Sequence, residues 1–183
     1  MDEMTFRGQR GTSLLRWAAL TVPAILLLGF ASGMSVPAGN DNPWYQALAK
    51  PALTPPGWVF PVAWTTIYVL LGLALAIVLS SRHAPTRGLA TALFMLGFAM
   101  ALTWVPLFFG ARQVDAAFLL IAAMIGVGIA TAVAFARIRT LAAWLMVPYL
   151  VWISFAAVLT WRIGQLNPDA EALVPKARVT QML

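Results

Sequence analysis

Five stretches of the chain lack Asp, Glu, Lys, Arg and His, and each is apolar around its whole circumference instead of along one face. Runs such as Val69-Leu70-Leu71 and Phe118-Leu119-Leu120-Ile121 do not alternate, which excludes the strands of a membrane barrel. A segment that is apolar on every side and about 20 residues long is a helix crossing hydrocarbon, because only intrasegment hydrogen bonds satisfy its backbone there. The pattern predicts helices over residues 14–36, 58–81, 88–109, 115–136 and 141–162. The fold class is therefore all-α, a bundle of five transmembrane helices in one membrane domain over residues 14–164. A short segment, 1–13, precedes it, and a flexible surface tail is expected over residues 165–183, where Pro168 and Pro175 stand among mixed charges.

The breaks between runs refine the picture. Asp115 suits the N-cap of the fourth helix, and Pro56 suits the approach to the second. Pro61, Pro106 and Pro148 fall inside or near helix ends, where each removes a backbone donor and loosens a turn. Three of the four connections are short. The first, residues 37–57, is long and stiffened by Pro37, Pro43, Pro51, Pro55 and Pro56, a construction more often functional than idle.

Composition agrees: 61% of residues are hydrophobic and 10% charged, too little polar surface for a water-soluble globule of 183 residues. The net charge of +6 does not point to nucleic acid, since the arginines sit at the ends of apolar runs and form no continuous basic face. Read as topology, Arg7, Arg10, Arg16, Arg82, Arg87, Arg137 and Arg139 lie on the side of the N-terminus. Lys50, Arg112, Arg162, Lys176 and Arg178 lie on the other, which places the N-terminus in the cytoplasm. The uncharged run from Trp17 to Val36 is longer than the apolar part of a signal peptide, so it is read as the first span and not as a cleaved leader. The absence of cysteine removes disulfide and thiolate chemistry.

No ionisable side chain other than tyrosine lies inside a span, Arg16, Asp115 and Arg162 standing at the ends, which argues against ion-coupled transport, because a moving charge needs an intramembrane partner. His83 is the single histidine and cannot make a zinc site unaided. No cofactor is required by anything in the chain. Aromatic surface is abundant instead. Trp17, Trp44, Trp58, Trp144 and Trp161 fall near span ends, as an interfacial belt would. Trp64 and Trp152 lie deeper, each near a proline and a tyrosine, and are either packing residues or the wall of a pocket for a flat apolar ligand.

The stretch Trp44-Tyr45-Gln46-Ala47-Leu48-Ala49-Lys50-Pro51, followed by Pro55-Pro56-Gly57-Trp58-Val59-Phe60-Pro61-Val62-Ala63-Trp64-Thr65-Thr66-Ile67-Tyr68, resembles the translocator protein family (TspO/MBR, tryptophan-rich sensory protein) almost position for position. Trp104-Val105-Pro106-Leu107-Phe108-Phe109-Gly110-Ala111-Arg112-Gln113 and Val147-Pro148-Tyr149-Leu150-Val151-Trp152 are similar to two further family segments. The resemblance implies a five-helix bundle, often a homodimer, whose first loop covers a pocket for a porphyrin such as protoporphyrin IX. Carried over residue by residue, the ligand-binding positions are Tyr45, Trp64, Trp152 and Ala156, and Phe60, Ala101 and Trp104 are counted with them. A sensor or carrier of a tetrapyrrole is the leading function it implies. A regulatory subunit that binds another membrane protein, or an enzyme that degrades bound porphyrin, are the alternatives. No residue pair here resembles an acid–base couple or an activated nucleophile, so the enzymatic reading rests on analogy alone. Gly97, Ala101 and Thr160 stand where many members carry amides, so fewer polar contacts to a ligand are expected. Gly72 with Ala76, and Gly126 with Gly128, permit close helix approach, either within the bundle or between two copies.

Overall fold

The computed structural model describes residues 3–173, with side chains from Ser13 onward. Five helical segments among them are long and apolar enough to cross a membrane, at Ser13–Gly33, Val59–Ser80, Arg87–Gly110, Val114–Ala136 and Thr140–Leu166. The elements are α1 (Glu3–Gly33), α2 (Pro43–Ala47), α3 (Val59–Ser80), α4 (Arg87–Val105), α5 (Val114–Ala136), α6 (Thr140–Trp144) and α7 (Val147–Leu166). The protein is thus an integral multi-pass membrane protein. No strand forms among the described residues.

Packing follows from where side chains are smallest. α1 lies along α3, and a Cβ on Gly72 would come within 2.7 Å of the Val22 Cα, so only glycine admits the two backbones at this distance. Thr21, 6% exposed, closes the contact by donating its hydroxyl to the Gly72 carbonyl at 2.8 Å and to the Trp17 carbonyl at 2.9 Å. Gly29 receives the Tyr68 ring in the same interface. α5 is flanked by α4 on one side and by α6 and α7 on the other; α3 touches α6 and α7, and α1 touches α4. The contacts close a ring in the order α1, α3, α6/α7, α5, α4. Gly72 and Ala76 are both buried inside this ring, and Gly128 meets Leu150 and Tyr149 of α7. These small residues therefore serve contacts within one chain, while Gly126 has nothing within 4 Å of its Cβ position.

Several expected boundaries shift for identifiable reasons. α1 starts at Glu3 and runs unbroken past Pro23, so residues 3–13 continue the first span as helix. Asp115 is not the N-cap of α5. That position falls to Gln113, and Asp115 stands in the first turn, where its charge still complements the helix dipole. The early start follows from the preceding segment: Pro106–Gly110 winds as a π-turn, closed by Ala111 N–H to the Pro106 carbonyl at 2.8 Å, and Gln113 N–H then reaches the Leu107 carbonyl at 3.2 Å. Pro61 and Pro148 lie in the first turns of α3 and α7, where no intrahelical N–H bond is owed, so neither interrupts its helix. The fifth span does break, at the turn between α6 and α7 just before Pro148.

The largest departure concerns the tail. Instead of a flexible segment from Gln165, α7 continues to Leu166, and residues 167–173 dock against the first loop. Residues 174–183, with Lys176 and Arg178, lie outside the described residues. Asn167 fastens the junction: its Oδ1 accepts from Ala49 N–H at 2.8 Å, and its Nδ2 donates to the carbonyls of Ala49 at 2.9 Å and Ile163 at 2.8 Å. Trp44, expected at the membrane interface, is 1% exposed, because its ring packs on Phe108 and its indole N–H donates to the Ala170 carbonyl at 2.7 Å. Trp58 and Trp144 match the belt reading, at 68% and 67% exposed.

Candidate functional site

Two aromatic clusters lie one above the other in the bundle. The lower one is set by α3 and α4, where spacing of four residues puts Trp64 and Tyr68 on one face of α3 and Phe94 and Phe98 on one face of α4. Trp64 and Tyr68 lie 5.2 Å apart between ring centres and tilted by 31°, Tyr68 meets Phe98 edge-on at 6.5 Å, and Phe94 stacks on Phe98 and on Phe135 of α5. Trp64, Tyr68, Phe98, Ala101, Thr131 and Tyr149 help to line one central space, with Gly97 and Gly128 in its wall. Among the described residues, no charged side chain borders it. Its volume is about 20 Å³, near the size of a single water and far below the roughly 300–1,000 Å³ of ligand pockets. The rings themselves fill the centre.

The upper cluster forms where the first loop sits over the π-turn. Asn42 caps α2 by accepting from Tyr45 N–H and donates to the carbonyls of Pro37 and Phe109, which pins the loop to the end of α4. Tyr45 meets Phe109 edge-on at 5.3 Å, and the Lys50 ammonium lies 4.7 Å from the Tyr45 ring centre. Burial pushes the Tyr45 phenol above the usual tyrosine value. Trp104 stacks on Phe108 at 5.0 Å, with planes 8° apart, and packs against both clusters. Its indole N–H is buried and has no hydrogen-bond partner among the described residues. An orphaned donor of this kind costs about 1–3 kcal/mol until an acceptor arrives.

Of the positions expected from sequence, Trp64 and Ala101 line the central space. Phe60 and Trp152 pair edge-on at 5.8 Å, and Trp152 also meets Phe155. Ala156 packs half-buried against the same core. Tyr45 stands in the upper cluster and Trp104 between the two, so the set divides over two levels and does not converge on one open pocket. Phe94, Phe98, Leu71, Thr131 and Met146 were not foreseen as lining residues. The four-residue spacing of Phe94, Phe98 and the small residues Gly97 and Ala101 is the signal that could have revealed the α4 wall. A larger side chain at Gly97 is resisted, since its Cβ would lie 3.3 Å from Val127. Thr160 does not border the central space at all. It is buried beside a groove at the far ends of α5 and α7.

A ring of five spans around an aromatic centre, capped at one end by a proline-rich loop, defines a class of α-helical multi-pass membrane proteins. Residues 20–166 match the TspO/MBR family, and the chain belongs to it. It is 36% identical to the tryptophan-rich protein TspO of Chlorobaculum tepidum over 152 residues, covering 82% of this chain and 95% of that one. It is 35% identical to the tryptophan-rich sensory protein of Cereibacter sphaeroides, covering 80% and 96% of the two chains. Against the translocator protein of Homo sapiens the identity is 33%, with 78% and 90% covered.

Proposed function

We propose that the protein binds a flat apolar ligand of the tetrapyrrole type, protoporphyrin IX or a close analogue, as a membrane sensor or carrier, with its N-terminus in the cytoplasm. One observation carries this reading: Trp104 bridges two aromatic clusters with a buried indole N–H that lacks an acceptor, beside a centre bounded by rings and by no charge. A planar macrocycle offers faces for Trp64 and Tyr68 and acceptors for that N–H. Since the centre is about 20 Å³, the ligand takes the place of ring–ring contacts, and the Trp64–Tyr68 pair must separate to admit it.

The test is a titration of the purified protein with protoporphyrin IX, followed by tryptophan quenching. Trp104→Phe keeps the stacked ring and removes the donor, and should weaken binding by about tenfold, as expected for one hydrogen bond. Trp64→Phe and Trp152→Phe report on the lower level. Equal affinity in all three variants and the wild type would end this assignment.

The closed centre favours a second reading, a regulatory subunit that binds another membrane protein, or a second copy of itself, without a small ligand. Co-purification of a stoichiometric partner together with no measurable porphyrin quenching would select it.

A further inference from the structure

The chain carries twice as many basic as acidic residues, yet three of its six acidic side chains, Asp115, Asp169 and Glu171, border a single groove. The groove lies between the start of α5, the end of α7 and the docked residues that follow it, at the same end of the bundle as the first loop. Its volume is about 460 Å³, within the range of small-molecule sites and far larger than the central space. Among the described residues that line it there is no Lys, Arg or His. Phe118 and the half-exposed indole of Trp161 add apolar and aromatic surface to it.

A second observation is independent of the charges. Thr160 borders the groove at 3% exposure, and its hydroxyl neither hydrogen-bonds within the described residues nor is sealed in the bundle, so it opens on the groove. Its neighbours are otherwise occupied: Glu171 Oε2 accepts from Gln113 Nε2 at 3.4 Å, and Asn167 is spent on Ala49 and Ile163. Arg162 lies 5.2 Å from the Trp161 ring centre, outside the groove, so the indole already holds one cation by its π-face.

Carboxylates and aromatic surface bordering one groove match a positive head joined to an apolar chain. A metal ion is a poor fit, because no three acidic or histidine side chains come together as a ligand set among the described residues. A porphyrin is worse, since its own carboxylates would face these three. We propose that this groove is a second binding site, which takes the alkylammonium head of an amphiphile between Asp115, Asp169 and Glu171 and lays its chain along Phe118 and Trp161. The head can belong to a bilayer lipid or to a free cationic amphiphile, and the chemistry is the same in both cases.

Contact quenching separates the outcomes. The full-length protein in neutral maltoside micelles is titrated with a bromododecyl-trimethylammonium ion, with the brominated dodecyl sulfate as the opposite-charge control. The Trp161 contribution is taken as the difference from Trp161→Phe. In a parallel arm, choline lipid carrying a nitroxide on its headgroup is added to phosphatidylglycerol nanodiscs. Wild type should show saturable quenching of Trp161 by the ammonium probe and not by the sulfate. In Asp169→Asn/Glu171→Gln the half-saturation concentration should rise about tenfold, as expected for removing two carboxylates about a charge. Thr160→Val, which keeps the side-chain shape, should weaken binding by a few-fold with unchanged helix content by circular dichroism. Asp-dependent quenching by the nitroxide lipid identifies the source as the bilayer, and quenching by the soluble probe alone identifies a free amphiphile. Equal half-saturation in wild type and the double variant, or equal quenching by the sulfate, overturns the proposal.

Discussion

Asn167→Ala should release the first loop from the end of α7. The side chain makes two hydrogen bonds to Ala49, at 2.8 and 2.9 Å, and a third, at 2.8 Å, that fixes its own rotamer on Ile163. Only the first two hold the loop. Ala49 is exposed, so water replaces the lost partners and no buried group is orphaned. Each neutral bond then counts at the lower end of the usual net range, and the pair contributes about 1–2 kcal/mol to the closed loop. That corresponds to roughly a 5- to 30-fold rise in the open population. Hydrogen–deuterium exchange of the peptide spanning Ala47–Thr54 measures it directly, because the Ala49 amide exchanges only when its bond to Asn167 breaks. Asn167→Asp keeps the acceptor and loses both donations, so its exchange should fall between wild type and the alanine variant. Exchange at Ala49 within twofold of wild type in Asn167→Ala would show that the loop is held by its aromatic packing alone.

Gly72→Ala should destabilise the protein by about 1–3 kcal/mol, read by thermal unfolding in detergent, since the new Cβ meets Val22 backbone that cannot yield; Gly126→Ala, with open space, should be neutral. Trp44→Phe keeps most of the ring but leaves the buried Ala170 carbonyl without its donor, at a cost of about 1–3 kcal/mol in the same assay. The Tyr45 phenol is raised in the folded protein, so the unfolded chain loses its proton first. Stability from this group is intact below pH 10 and falls as pH rises through the folded value, and part of the loss above pH 10 should vanish in Tyr45→Phe.

The spans were legible because lipid imposes one requirement on every position: no charge, and a backbone that satisfies itself. The structure moves their ends by only a few residues at α3, α4 and α5. What periodicity could not carry was contact between distant segments. Trp44 looks interfacial in sequence because it neighbours an exposed loop, and nothing local announces that Ala170 supplies its acceptor. The tail looks disordered by composition, yet residues 167–173 dock through the Asn167 amide, the Trp44 bond to Ala170 and apolar packing. The candidate site was legible as residue types and not as volume: Trp64 and Ala101 do share a space, but the tilted pair of Trp64 and Tyr68 occupies it. Thr160 was read as a lost contact to a central ligand, and its true surroundings belong to another part of the molecule.

The fastening of the first loop also sets an order of events during synthesis. Ala49 waits for a partner 118 residues later in the chain, and Trp44 for one 126 residues later. At roughly 5–20 residues per second, the ribosome needs on the order of 6–25 s after making the loop to deliver Asn167. During that interval four spans can be inserted while Trp44 still lacks its acceptor. A chain that stops before Asn167 would keep most of its membrane-crossing length and lack the bonds that Asn167 and Ala170 give the loop, which Asn42 alone would then pin to the end of α4. Insertion and completion are therefore separable steps in the biogenesis of this protein, and quality control can discriminate between them at its last helix.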